Sequence, residues 1–224
     1  MMNQDYPPEV QKYLQATFYI DSDHPAVIEF AQKCTEGLSS NKEKAVALYY
    51  AVRDTFRYDP YHVDLNPAKL KASVVLQQGF GYCVEKANIL AASARSQGIP
   101  ARLGFANVKN HLSTEKLIQI LRSDIFVFHG YTELWLDGKW VKASPAFNLS
   151  LCQKFNVPAV DFNGTDDAVF QQYDGEGRQF MEYVKDHGSF DDLPRDQFIA
   201  ELKAFYPHLF EGIVLGGLNY KWEL

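Results

Sequence analysis

The dipeptide Asp137-Gly138 stands between two runs rich in aromatic and β-branched residues, DIFVFHGYTELWL and KWVKASPAFN. A pair like this, so flanked, forms a two-residue type I′ hairpin turn, because that turn's twist matches the twist of paired strands. Counting outward along both strands, Leu136 faces Lys139, Tyr131 faces Ser144 and His129 faces Ala146. Side chains alternate, so one face carries His129, Tyr131, Glu133 and Trp135 together with Trp140, Lys142, Ser144 and Ala146. His129 and Ser144 become diagonal neighbours within hydrogen-bonding range. Glu133 opposes Lys142, as a supporting ion pair or as a solvated surface pair.

The chain before this hairpin reads mainly as helix. HPAVIEFAQKCTEGL and NKEKAVALYYAVRDTFRY form two amphipathic helices, the second with Ala45, Leu48, Tyr49, Val52 and Phe56 at spacings of three and four. DPYHVDLNPAKL and KASVVLQQGFGY lead as loops to Cys83. From Val84 to Ser96 helix formers accumulate, and Gly98 with Pro100 ends the run. ARLGFANV follows as a strand, then a loop or short helix over 110–122. Helices first and sheet second imply an α+β fold, with helices packed on an antiparallel sheet.

The last third, from Ser150, reads as loops with two helices, RQFMEYVKDHG and PRDQFIAELKAFYPHLF, and an acidic stretch around Asp161, Asp166 and Asp167. Those acids read as a solvated loop, with a substrate-facing lid as the alternative. With 224 residues and 46% hydrophobic content the chain can bury a substantial core. A single domain over 1–224 is expected, with about 150–224 as a C-terminal helical extension packed on the core.

Three cysteines, Cys34, Cys83 and Cys152, are widely spaced and odd in number, which argues for a reducing, cytoplasmic setting rather than a disulfide framework. The start of the sequence lacks a basic and apolar leader, and no run approaches the roughly 18 apolar residues of a membrane span. A net charge of -6 without a dense basic patch argues against nucleic acid as a partner. No C-x-x-C or H-x-x-x-H spacing and no calcium loop occurs, so no metal or cofactor is expected. Cys34, between Phe30 and Leu38, and Cys152, in an extended segment, read as buried filler.

Cys83 is different because it opens a helix. Unpaired N–H groups and the helix dipole there favour a thiolate and lower the thiol pKa, and Gly79 and Gly81 allow close approach to the sulfur. A small apolar filler under a Gly-rich turn is the competing reading. A thiol nucleophile needs an imidazole to take its proton. His24, His62, His111, His187 and His208 fall in loops, caps or helix ends, whereas His129 lies within a strand.

Gly81-Tyr82-Cys83, Gly98-Ile99-Pro100-Ala101-Arg102, His129-Gly130-Tyr131-Thr132-Glu133 and Trp140-Val141-Lys142-Ala143-Ser144-Pro145, in this order, resemble the transglutaminase-like superfamily of papain-like thiol enzymes. The resemblance covers about residues 40–148. It implies a Cys-bearing helix against an antiparallel sheet, with Cys83 as nucleophile and His129 as base. Ser144 stands where the family usually carries an aspartate, and a hydroxyl orients an imidazole but stabilises the imidazolium only weakly. Asn148 is the alternative orienter. The oxyanion site would use the N–H of Cys83 with Gln77, or with Gln78 or Tyr82 in its place.

By this resemblance the chain is a thiol-dependent amide or peptide hydrolase or acyltransferase, acting on a protein, peptide or small amide through an acyl-thioester. Hydrolysis is preferred to an amine acceptor. The alternatives are an amine-accepting transglutaminase and a non-catalytic binding or scaffold protein that keeps the fold.

Overall fold

The structure, a computed structural model, describes residues 6–111, 114–169, 176–177, 180–211 and 221–223. Its helices are α1 (Pro8–Gln11), α2 (Pro25–Cys34), α3 (Asn41–Thr55), α4 (Ala72–Gln78), α5 (Cys83–Ser96), α6 (Glu115–Leu121), α7 (Leu149–Lys154) and α8 (Arg195–Phe205). Its strands are β1 (Arg57–Tyr58), β2 (His62–Asp64), β3 (Phe80–Gly81), β4 (Ala101–Asn110), β5 (Ile125–Leu136), β6 (Lys139–Ala143), β7 (Met181–Phe190) and β8 (Lys221–Glu223). A four-stranded antiparallel sheet runs in the order β6-β5-β4-β7, and α5 packs across it. No described helix is long and apolar enough to cross a membrane.

Local chemistry sets the helix ends. Ser40 Oγ accepts from Glu43 N at 3.2 Å while Glu43 Oε2 accepts from Ser40 N at 3.1 Å, a reciprocal cap that starts α3. α5 is buried from Val84 to Arg95, which its alanines allow and its polar residues must justify. Lys86 Nζ donates to the carbonyls of Arg53, Phe56 and Ala146 at 2.9, 2.7 and 2.8 Å, tying α5 to the end of α3 and to the segment after β6. Asn88 Nδ2 donates to Tyr19 O and Leu70 O, both at 2.9 Å.

The hairpin forms as expected, with φ of 49° at Asp137 and 83° at Gly138, and pairs from Leu136↔Lys139 to Thr132↔Ala143. The ladder then stops at Ala143, short of the expected pairs. Ser144 N donates instead to Ala168 O at 2.7 Å, and Pro145 follows, so the expected pairs Tyr131↔Ser144 and His129↔Ala146 do not form. Glu133 does oppose Lys142 in register, but it is buried and bonds to Arg102 Nε on β4 and to Ser189 Oγ at 2.9 Å. Lys142 Nζ lies over the Tyr131 ring instead.

The last third departs furthest from expectation. The helix predicted over 178–188 is strand β7, paired from Leu103↔Phe190 to Asn110↔Met181; residues 178 and 179 lie outside the described residues. β4 is buried along most of its length, and without β7 one edge of its backbone would lose its hydrogen bonds in the interior. The second predicted helix appears as α8, then breaks at Pro207 into a 3₁₀ turn over Pro207–Phe210. Two helices appear where loops or extended chain were expected: α4, which contains Gln77, and α7, which buries Cys152.

The cores lie on opposite faces of the sheet. Gly130 and Thr132 face α5, where Thr132 Oγ1 donates to Ala87 O at 2.8 Å. On the other face Tyr131, whose ring fills the space above Gly104, joins Ala106, Val108, Cys152, Phe180 and Met181.

Candidate active site

Cys83 is the first residue of α5, delivered by the short parallel pairing of β1 with β3. Tyr82 precedes it in extended conformation, and its N–H donates to Glu85 Oε2 at 3.1 Å. The first turn lies against Gly130 so closely that a Cβ there would sit 2.9 Å from Val84 Cα. This contact brings the residue after His129 onto the first turn of the helix that Cys83 opens. Gly130, Val84 and Cys83 itself direct backbone N–H groups at the half-buried thiol.

Burial nevertheless dominates, and the Cys83 thiol is pushed up to about 11 rather than down as its helix position suggests. Burial also pulls the His129 imidazole down to about 4, with no carboxylate opposing it. His129 Nε2 lies 3.5 Å from Ser144 Oγ, the outer limit of a hydrogen bond. Ser144 is held by its N–H bond to Ala168 and by its carbonyl, which accepts from Tyr49 Oη at 3.2 Å. Among the described residues no hydrogen bond joins thiol and imidazole, and burial favours the neutral form of each. With Ser144 at Nε2, Nδ1 remains as the nitrogen that can take a proton from sulfur.

The other sequence candidates are placed as follows. Asn148 precedes α7; its Oδ1 accepts from Tyr58 N at 3.1 Å and its Nδ2 donates to Ser150 Oγ at 2.7 Å, so its amide serves β1 and the Ser150 side chain rather than the imidazole. Gln77 is exposed on the last turn of α4, and Gln78 donates to Phe80 O at 3.0 Å. Tyr82 is buried, and its hydroxyl has no partner among the described residues. The acidic stretch does not form a lid: Asp161 bonds to Arg53 and Tyr50 on α3, and Asp167 accepts from Lys142 N at 2.9 Å on β6.

Sequence reasoning missed the side chains that shape the strand just before His129. Phe128 has a φ of 58° and is fully buried, and the β4–β5 register shifts beside it. Its N–H donates to Asn107 Oδ1 at 3.0 Å, and that oxygen also lies 2.8 Å from His187 Nε2. Tyr206 Oη accepts from Val127 N at 3.0 Å and donates to Ile125 O at 2.5 Å. Asn107, His187 and Tyr206 lie far from His129 in sequence, and no spacing signals them.

His129 forms part of the wall of a cavity of about 740 Å³, together with Tyr58, Phe126, Phe147, Asn148 and Phe180. Among the described residues no group of three or more His, Cys, Asp or Glu is placed to hold a metal ion. A thiol at a helix start, an imidazole on the adjacent strand and a cavity at that imidazole can together perform acyl transfer through sulfur.

Comparison with known proteins bears on the same region. No curated protein matches the sequence at significant similarity. A candidate cysteine protease from Cytophaga hutchinsonii superposes with a TM-score of 0.50 and 17% identity, over 83% of this chain and 54% of that one. A candidate protease from Parabacteroides distasonis gives a TM-score of 0.38 and 20% identity, over 61% of this chain and 25% of that one. The chain therefore spans about half the length of the first and a quarter of the second, and the first likeness shows a shared fold. The profile of the transglutaminase-like superfamily matches residues 28–145, more than half of the chain and the stretch from within α2 through Cys83 and His129 to Ser144, and the chain belongs to that superfamily.

Proposed function

We propose that this protein is a thiol-dependent acyl-transfer enzyme that cleaves amide or peptide bonds. Cys83 Sγ attacks the carbonyl carbon while His129 Nδ1 takes the thiol proton. The same nitrogen then protonates the leaving amine as the C–N bond breaks, leaving a thioester on Cys83. Water, deprotonated by His129, attacks the thioester, releases the carboxylic acid and returns the proton to sulfur. In this reading the backbone N–H of Cys83, at the start of α5, is the oxyanion donor.

The observation that carries this reading is the seat of Gly130 on the first turn of α5, which sets the imidazole-bearing strand beside the thiol. The neutral resting pair fits a base that acts during attack rather than one that stores a thiolate. Activity should then need an unprotonated His129, so that kcat/KM rises with pH through about 4 and holds through neutrality. Release of p-nitrophenol from p-nitrophenyl acetate tests it. Cys83→Ala should abolish protein-dependent turnover and His129→Ala should lower it about 100-fold or more.

A second reading, a non-catalytic binding protein, is favoured by one observation: the position next to His129 Nε2 holds a hydroxyl and not a carboxylate. Turnover that is unchanged in Cys83→Ala would establish that reading.

A further inference from the structure

The cavity beside His129 carries a chemistry of its own, and its orientation toward the substrate rests on the acyl-transfer reading above. His129 lines it and Cys83 does not. When a thiol and an imidazole cleave an amide, the amine leaves on the imidazole side, because that ring delivers its proton. A space walled by the imidazole and not by the thiol therefore receives the leaving amine or, in reverse, an acyl acceptor.

Its inner wall is apolar. Phe147 and Phe180 stack with ring centroids 6.2 Å apart, and Phe180 and Met181 are buried at the base of the cluster on this face of the sheet. Its mouth is cationic. Lys116 and Lys154 line it, and neither has a carboxylate partner among the described residues. The one carboxylate on the wall, Asp59, is buried and already engaged, by Arg57 Nη2 at 3.0 Å, His62 Nδ1 at 2.9 Å and Tyr61 N at 3.0 Å. A chain of net charge -6 thus presents uncompensated cations at this opening.

We propose that this cavity is a leaving-group subsite for an amine component that bears both an aromatic or large aliphatic side chain and a carboxylate. That is the chemistry of a C-terminal hydrophobic amino-acid residue. The side chain occupies the Phe147 and Phe180 wall, the carboxylate reaches Lys116 and Lys154 at the mouth, and the amine nitrogen lies at His129.

Binding of L-phenylalanine, L-phenylalanine amide and glycine to the Cys83→Ala protein tests this without requiring chemistry, followed by the ring resonances of His129. L-Phenylalanine should bind and shift those resonances, with the amide and glycine each at least about fivefold weaker. The double substitution Lys116→Ala with Lys154→Ala, at exposed positions, should bring L-phenylalanine down to the affinity of its amide. Higher salt should narrow the difference in the unsubstituted lysine background. Failure of L-phenylalanine to bind, affinity equal to glycine, or a preference untouched by the lysine substitutions would overturn the proposal. Binding as described together with absent Cys83-dependent turnover would overturn the acyl-transfer reading and leave the subsite standing.

Discussion

At His129 the imidazole Nε2 meets a serine hydroxyl 3.5 Å away, and burial favours its neutral form down to about 4. A carboxylate at that place would favour the charged ring and, through it, the thiolate. Ser144→Asp is therefore expected to speed alkylation of Cys83 by iodoacetamide about tenfold near neutral pH. An unchanged rate would mean that residue 144 does not act on the imidazole. The positions of Cys83 at a helix start and of His129 within a strand were legible in the sequence, because both are local features. Their charge states were not. The helix start argued for a lowered thiol pKa, and burial, which depends on everything packed around α5, outweighs it.

At the scale of elements, the contact between β5 and α5 depends on a missing side chain. Gly130→Ala would place a Cβ 2.9 Å from Val84 Cα and 3.3 Å from Val84 N, backbone that cannot turn aside. A loss of about 1–3 kcal/mol in unfolding stability is expected, with a larger fall in turnover than a surface substitution of equal cost would give. Denaturant unfolding and ester turnover on the same preparation check it. The irregular stretch of β5 before His129 is braced from outside the strand. Asn107 holds Phe128 N, Tyr206 holds both Val127 N and Ile125 O, and the Phe128 ring packs 5.5 Å from Phe198 of α8. Asn107→Ala should cost about 1–2 kcal/mol and lower kcat more than it raises KM, since the base is displaced while the cavity keeps its wall. A KM effect alone would remove Asn107 from any positioning role. The hairpin's register could be counted from Asp137-Gly138, yet the partner of β4 could not. Phe180, Met181, Tyr183 and Val184 follow a helical period rather than a strand's alternation, and the open edge of β4 overrides it.

For the molecule as a whole, α5 is the buried axis on which α2, α3, α4 and the sheet converge, so its polar groups couple stability to pH. Burial holds the Glu85 carboxyl up to about 8. In the unfolded chain it ionises near about 4.3. Between those values the unfolded chain releases the proton first, so this contribution to stability falls as pH rises from about 4.3 to about 8 and then levels. His129 works in the opposite direction at lower pH, its contribution rising with pH between about 4 and the ordinary imidazole value of about 6.5. Glu85→Gln keeps a carbonyl oxygen for Tyr82 N and removes the first effect alone. Its melting temperature should therefore gain on that of the wild type as pH rises from about 5 to about 8. Parallel curves would show that Glu85 ionises in the folded protein as it does in water.

The covalent step stands at the centre of the functional reading, and it can be observed directly. Wild type and His129→Ala are treated briefly with p-nitrophenyl acetate, quenched in acid and peptide-mapped by mass spectrometry. One acetyl group on Cys83 of the wild type, labile to hydroxylamine and strongly reduced in His129→Ala, is the expected result. Absence of acetyl on Cys83, or equal labelling in both proteins, would contradict a thiol nucleophile served by His129.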